Sequence, residues 1–239
     1  SLVEFGSGSS TKVRILLDAL EAPSAYIPID ISRDHLIESA KGIADAYPDL
    51  MVVPVVADYT QPLELPEIPH DMVRIGFFPG STIGNFSHTE AVDFLHTAAS
   101  ELGTDNGLLV GVDLKKDPAI LHAAYNDDAG ITAKFNLNIL HHINRELGAD
   151  FNLDGFIHDA HWQPQKGSIE MYLVSTCKQT VRIDDYVFEF AEGESIHSED
   201  SHKYTIEEFH ALAAEAGWRA YRHWTDADNL FSIHYLRVA

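Results

Sequence analysis

The sequence predicts a doubly wound α/β fold, and three observations carry that prediction. Short apolar runs alternate with helical repeats through the first 117 residues, a glycine-rich turn follows the first run, and the next two runs each lead into an acid. Strands that alternate with helices at this spacing form βαβ units and a mostly parallel sheet wrapped on both faces.

Leu2-Val3-Glu4-Phe5 reads as the first strand, Gly6-Ser7-Gly8-Ser9-Ser10 as the turn, and Val13, Leu16, Leu17 and Leu20 as the apolar face of a first helix. Tyr26-Ile27-Pro28-Ile29-Asp30 is a second strand. Leu36, Ile37, Ala40, Ile43, Ala44 and Tyr47 give the next helix its buried face. Residues 51–56 form a third strand ending at Ala57-Asp58-Tyr59, and a proline-rich connection over 62–69 leads into a fourth at 72–78. Pro79-Gly80-Ser81-Thr82-Ile83-Gly84-Asn85 breaks that strand. Val92, Leu95, Ala99 and Leu102 mark a helix, and 108–114 is strand five. After Pro118 the pattern becomes one long helical stretch to about Leu147, then strand pieces at Phe156-Ile157, 169–175 and 187–190. These predict an inserted antiparallel element over 118–204. A helix over 205–216 and a closing strand over 230–238 return the chain to the core begun in 1–117, within one compact unit.

A chain of 239 residues, 45% hydrophobic, is long enough to bury one large core. Its 16 Lys and Arg face 37 Asp and Glu, a net charge of −21, so the mean field repels polyanions and excludes nucleic acid as the expected substrate. No apolar run is long enough to span a bilayer, and no secretory signal opens the chain. The single Cys177 excludes an internal disulfide, which fits a reducing, cytoplasmic setting. No obligate protein partner is evident. There is no initiator Met and the first residues already read as a buried strand, so a preceding segment is expected.

Glycines between a strand and a helix let the backbone turn tightly and approach a ligand, with free N–H groups of the helix start aimed at it. The dinucleotide fingerprint is incomplete, since Thr11 stands at the third glycine position. Glu4, two residues before Gly6, fits the S-adenosylmethionine form of the motif better. Asp30 is placed to accept from ribose hydroxyls, a role NAD enzymes share. Asp58 is placed to accept from the adenine amine, with Tyr59 beside the ring. Lys12 is either a solvent-facing lysine or the partner of the cofactor's methionine carboxylate.

Ligands of open α/β sheets sit beyond the C-terminal strand ends, so the break after strand four is expected to face the transferred methyl. That break reads Phe77-Phe78-Pro79-Gly80-Ser81-Thr82-Ile83-Gly84-Asn85-Phe86. Together with Glu4-Phe5-Gly6-Ser7-Gly8 upstream, and Ala124-Tyr125-Asn126-Asp127-Asp128-Ala129-Gly130, Phe135-Asn136 and residues 194–204 downstream, it resembles the L-histidine Nα-methyltransferases of ergothioneine biosynthesis. The motifs occur in order over essentially the whole chain, and the Phe-Pro-Gly-Ser-x-Ile-Gly-Asn block is specific.

The resemblance implies a Rossmann-like S-adenosylmethionine-dependent methyltransferase fold with an inserted antiparallel β/helical substrate-binding element. It also implies trimethylation of the α-amine of L-histidine to hercynine. Cofactor residues then fall on Gly6, Lys12, Asp30, Asp58 and Tyr59, with Gly8 completing the turn. Asn85 and Tyr125 are implied to hold the amino acid's carboxylate and amine, and are the expected catalytic pair. Gly80 and Thr82 are implied to shape the amine's surroundings, Glu199 and Ser201 to read the imidazole nitrogens, and Met171 to pack nearby. Glutamate accepts from an N–H and serine donates or accepts, which suits that reading. The family also has an N-terminal helical region whose tyrosines close over the substrate, and this sequence begins after it.

No metal is expected. His141-His142, His158 with His161, and His197 with His202 lack ligand spacing with a carboxylate or cysteine. The alternatives are a same-fold methyltransferase for another amino acid or small amine, an NAD-dependent oxidoreductase, and a catalytically inactive S-adenosylmethionine-binding protein.

Overall fold

The computed structural model describes residues 1–8, 10–66 and 73–239. In chain order these form β1 (Leu2–Phe5), α1 (Thr11–Ala19), β2 (Ala25–Asp30), α2 (Arg33–Ala46), β3 (Met51–Val52), β4 (Val55–Val56), β5 (Ile75–Phe78), α3 (His88–Leu102) and β6 (Gly107–Asp113). Then come α4 (Pro118–Tyr125), α5 (Ile131–Leu147), β7 (Phe156–Gln163), β8 (Ser168–Ser175), β9 (Gln179–Ile183), β10 (Tyr186–Phe190) and β11 (Ser195–His202). The chain closes with α6 (Ile206–Glu215), β12 (Trp218–Thr225) and β13 (Phe231–Val238). Two compact units result, one of Ser1–Leu114 with Tyr204–Ala239, the other of Lys115–Lys203.

The first unit is built on an eight-stranded sheet in the order β12-β13-β6-β5-β1-β2-β3, with β4 also pairing β2. β6, β5, β1, β2, β3 and β4 run parallel, while β13 and β12 are antiparallel. Alternation along the strands sends Val3, Phe5, Ile27, Ile29 and Phe78 to one face, packed with α3 and α6, and Leu2, Tyr26 and Phe77 to the other, packed with α1 and α2. α3 starts at a capping box in which Ser87 Oγ accepts from Glu90 N and Glu90 accepts from Ser87 N. α6 starts the same way at Thr205 and Glu208. The Trp218 indole donates to Leu95 O at 2.8 Å, tying β12 to α3 through the core.

The strand order reverses at β1, which continues to β2 on one side and has β5 on the other. The turns leaving β1 and β5 are therefore neighbours at the switch point of the sheet.

The second unit pairs β11-β8-β7 as one antiparallel sheet and β10-β9 as a hairpin. Ile169, Met171 and Leu173 lie on one face of β8, where they join clusters with Leu121 of α4 and Leu140 of α5.

Several expectations need correction. Residues 51–56 are two short pieces, because Pro54 has no N–H to continue the ladder. The stretch from 118 to 147 is two helices, broken where the Asp127 carboxylate accepts from Ile131 N and Thr132 N. The antiparallel element holds five strands, not three pieces, and 218–225 adds a strand to the closing run. Leu20 and Ala44 are exposed rather than buried. Strand four begins at Ile75, and Met72 lies outside the described residues.

Candidate active site

The turn after β1 is fastened to β2. Gly6 N and Ser7 N donate to Ile29 O at 2.9 and 3.1 Å, which holds Gly6 and Gly8 at φ +72° and +47°. A side chain at Gly6 would meet the Tyr59 ring at 3.1 Å, whereas nothing lies within 4 Å of the position of a Cβ on Gly8. Gly8 thus leaves open space before the turn, in a conformation that L side chains rarely adopt.

Asp30, at the end of β2, accepts from Gly8 N at 3.2 Å and Ser32 N at 2.9 Å, so its carboxylate is oriented by the turn itself. Asp58 is exposed just past β4. One of its oxygens accepts from Thr60 N and Thr60 Oγ1 at 2.9 and 2.7 Å, and these bonds hold its pKa below the usual range. Tyr59 packs edge-on against Phe78 and Phe94 as well as over Gly6.

Lys12 extends from the first turn of α1 to the break after β5, its Nζ 2.9 Å from where a Cβ on Gly80 would stand. Gly80 at φ +81° and Ser81 at φ +61° turn the chain there, and Ser81 Oγ accepts from Asp113 N at 2.8 Å. Thr82 Oγ1 donates to Pro79 O at 3.2 Å, and Asn85 ends the short 3-10 turn Thr82–Asn85 with its side chain exposed. Ser87 caps the helix that follows. An apolar groove of about 470 Å³ runs past Ile15, Phe77, Leu109 and Ile233 and shares only Lys12 and Gly80 with the predicted site residues, so it is distinct from the acids.

Beneath the turn, Glu4 is 1% exposed and accepts from the Tyr26 hydroxyl. Burial pushes its carboxyl up to about 7, against the Tyr26 hydrogen bond and the Lys12 charge.

In the second unit, Glu199 pairs with Met171 and Ser201 with Ile169 across β11 and β8. A two-residue repeat puts Glu199 and Ser201 on the face that carries Met171. Burial raises the pKa of Glu199, Lys203 opposes that shift, and Asp200 adds to it. Tyr125 comes from the last residue of α4, and its hydroxyl donates to Ser201 Oγ at 2.8 Å. Four predicted residues of this unit, Tyr125, Met171, Glu199 and Ser201, therefore gather on one side of one sheet.

Sequence reasoning did not single out Lys203, 3% exposed, whose ammonium donates to both Tyr125 Oη and Ser201 Oγ at 2.7 Å. Nor did it give His158 its place. His158 Nε2 donates to Tyr125 O at 2.7 Å, and its Nδ1 accepts from Asn136 Nδ2 at 2.9 Å, so this histidine supports Tyr125. The only available signal was the period of two in Glu199, Ser201 and Lys203. Across the sheet, on its other face, Glu170, His197 and Asp200 bring ligand-type atoms within 4.8 Å of one another, and Glu170 already accepts from Lys166 and Tyr172.

A parallel sheet closed by an antiparallel hairpin, with a glycine turn and strand-end acids at its switch point, defines an S-adenosylmethionine-dependent methyltransferase of the open α/β type. The methyltransferase CcbJ of Streptomyces caelestis superposes with a TM-score of 0.55 at 15% identity, over 100% of this chain and 83% of that one. The chain belongs to the family described as histidine-specific methyltransferase, SAM-dependent, which matches residues 1–238. It is 41% identical over 238 residues to the histidine N-alpha-methyltransferase of Mycolicibacterium smegmatis, covering 98% of this chain and 74% of that protein. It is 29% identical to ergothioneine biosynthesis protein 1 of Neurospora crassa, over 98% of this chain and 27% of that protein. Among the described residues, no helix is long and apolar enough to cross a membrane.

Proposed function

We propose that this chain moves methyl groups from S-adenosylmethionine to the α-amine of L-histidine, three in succession, to give hercynine. The observation that carries the choice of substrate is the face of β11. Glu199 and Ser201 stand there as acceptor and hydroxyl at the spacing of one strand repeat, over the Met171 side chain, as a five-membered ring with two nitrogens requires. The name of the 41%-identical relative, a histidine N-alpha-methyltransferase, supports that choice.

The cofactor fits the first unit. Gly8 leaves the space, Asp30 and Asp58 offer acceptors for ribose and adenine, and Lys12 offers a cation for the methionine carboxylate. When bound, S-adenosylmethionine supplies an electrophilic methyl on a sulfonium. The protein's own task is alignment and exclusion of water, since displacement at carbon needs an in-line approach. The attacking amine must be neutral, so from the ammonium form a proton leaves before each of the three transfers: the first two products are themselves protonated amines, and the third transfer gives a quaternary ammonium with no proton left to lose. Asn85 and Tyr125 are the residues proposed to hold the amino acid's backbone groups, with Gly80 and Thr82 shaping the amine's surroundings.

Mass spectrometry of histidine incubated with the protein and S-adenosylmethionine tests the reading. Histidine carrying one, two and three methyl groups is expected. Methylation of another amino acid or amine in a mixture, with histidine untouched, would replace histidine as substrate. Binding of NAD and not of S-adenosylhomocysteine would remove the cofactor assignment.

A further inference from the structure

Ser201 sits in a closed hydrogen-bond triangle. Its Oγ accepts from Tyr125 Oη at 2.8 Å and from Lys203 Nζ at 2.7 Å, and Lys203 Nζ also donates to Tyr125 Oη at 2.7 Å. An ammonium only donates, and a hydroxyl has two lone pairs and one hydrogen. The phenol is the more acidic of the two hydroxyls, so between them tyrosine donates and serine accepts. Both lone pairs of Ser201 Oγ are then filled, and its one hydrogen points out of the triangle. Ser201 is left as a donor only.

Two residues before it on the same face, Glu199 is an acceptor when ionised, and the Lys203 charge favours that ionised form against burial. The charged and titratable groups on this face are Glu199 and Lys203 from β11, the Tyr125 phenol from α4 and, from β7, His158, whose Nε2 donates to Tyr125 O at 2.7 Å. β8 and β7 contribute Ile169, Met171, Ala160 and Trp162, and Lys115 runs past Gly167 beside them. Glu170, His197 and Asp200 face the other way.

An acceptor followed by a donor matches a neutral imidazole, which has one N–H and one bare nitrogen. It does not match imidazolium, whose second N–H would meet the Ser201 hydrogen close to a lysine charge. We propose that Lys203 is a positioning residue that fixes Ser201 as a donor, and that the site thereby takes histidine with its ring neutral. This rests on the reading of Glu199 and Ser201 as the ring's partners.

The experiment is calorimetry on the full chain saturated with S-adenosylhomocysteine, from pH 5 to 7.5. Its two ligands are histidine and β-(1,2,4-triazol-3-yl)alanine, whose ring stays neutral throughout. The α-amine stays protonated in both ligands and both rings carry an N–H for Glu199, so the ratio of affinities isolates the ring's charge. In the parent, histidine should lose about tenfold in affinity relative to the triazole for each pH unit below the imidazole pKa of roughly 6.5. Lys203→Met should flatten that fall to under about threefold across the range, and Lys203→Arg should restore it. Tyr125→Phe removes one donor to Ser201 and should also flatten it, which keeps the test standing if Lys203→Met does not fold.

A parental ratio that does not change with pH overturns the inference, as does a Lys203→Met protein with the parental slope. Ser201→Ala separates the two levels of argument. If it binds histidine as tightly as the parent, the ring is read elsewhere and the reading beneath the inference has failed. If it weakens histidine while the parental ratio stays flat, only the inference has failed.

Discussion

Glu4 offers the sharpest test of how the cofactor turn is supported. Its carboxyl is buried under the glycine turn against the Tyr26 hydroxyl, and burial moves its pKa from an ordinary 4.5 to about 7. The folded state therefore holds a proton that the unfolded chain has already released between those two values. The stability this contributes is complete below pH 4.5 and is lost as pH rises through about 7. A displacement of that size corresponds to about 3 kcal/mol.

Glu4→Gln removes the titration and keeps an oxygen for Tyr26, so the perturbation is confined to charge. Urea denaturation midpoints at pH 5, 7 and 9 give the free energies. Between pH 5 and pH 9 the parent should lose about 3 kcal/mol more than the Gln variant. Parallel profiles for the two proteins would refute the reasoning, because they would mean that Glu4 ionises in the fold as easily as in the unfolded chain. A cationic ligand on the turn should pull the same pKa down. Cofactor uptake near pH 7 should then release a fraction of a proton, seen as unequal binding heats in phosphate and Tris.

Asp58→Ala should weaken S-adenosylhomocysteine roughly tenfold by calorimetry through loss of an acceptor. Asp58→Asn, which keeps the oxygen that caps Thr60, separates that loss from damage to the turn, and unchanged affinity in both removes Asp58 from the site. Gly8→Val should be more severe, since it forces a β-branched residue to φ +47° and fills the open space before the turn; a cofactor complex seated elsewhere ends that claim. His234 is fully buried between Ser232 and His210, and burial, then His210 and His223, lower its pKa to about 3. Its contribution is present above pH 6.5 and lost as pH falls toward 3, on the order of 4 kcal/mol, so His234→Gln should flatten the acid limb of the stability profile. The Glu199→Ala, Ser201→Ala double variant should keep cofactor binding and lose most of the preference for histidine over phenylalanine and leucine in mixed-substrate methylation, and an undiminished preference would place the ring's partners elsewhere.

The first unit was legible because its strands are buried on both faces. Residues such as Val3, Phe5, Ile27 and Ile29 give runs with almost no polar interruption, and the acids mark where each run leaves the core. β11 gives no such signal. Ser-Ile-His-Ser-Glu-Asp-Ser-His alternates between two polar sides, one facing Met171 and the other Glu170, so neither face reads as apolar. β12 escaped for a related reason, since beyond Trp218 most of its side chains are exposed. The break between α4 and α5 was written in Asn126-Asp127-Asp128-Ala129-Gly130, a turn cluster by composition, but the apolar spacing on either side hid it. The strand-end acids could be placed from local sequence alone. Glu199 and Ser201 came from the family resemblance, and Lys203 came from neither, because its partner Tyr125 lies 78 residues away.

That distance explains why the insertion spends so many polar groups on one tyrosine. The Tyr125 carbonyl accepts from His158, whose other nitrogen is held by the buried Asn136, and Asn136 also donates to Tyr172 O at 3.1 Å. The next residue, Asn126, bonds both ways to Ala160 with its side-chain amide, at 2.9 and 3.1 Å, and so fastens the end of α4 to β7 as a strand would. The backbone at 125 is thus fixed from two sides before the hydroxyl is considered. A phenol so anchored cannot swing to satisfy a misplaced serine, so the Ser201 hydroxyl must conform to Tyr125 and Lys203. The order of constraint runs from Asn136 and His158 through Tyr125 to Ser201. Residues with no expected contact to substrate, His158 above all, should therefore alter ring discrimination more than their distance from it suggests.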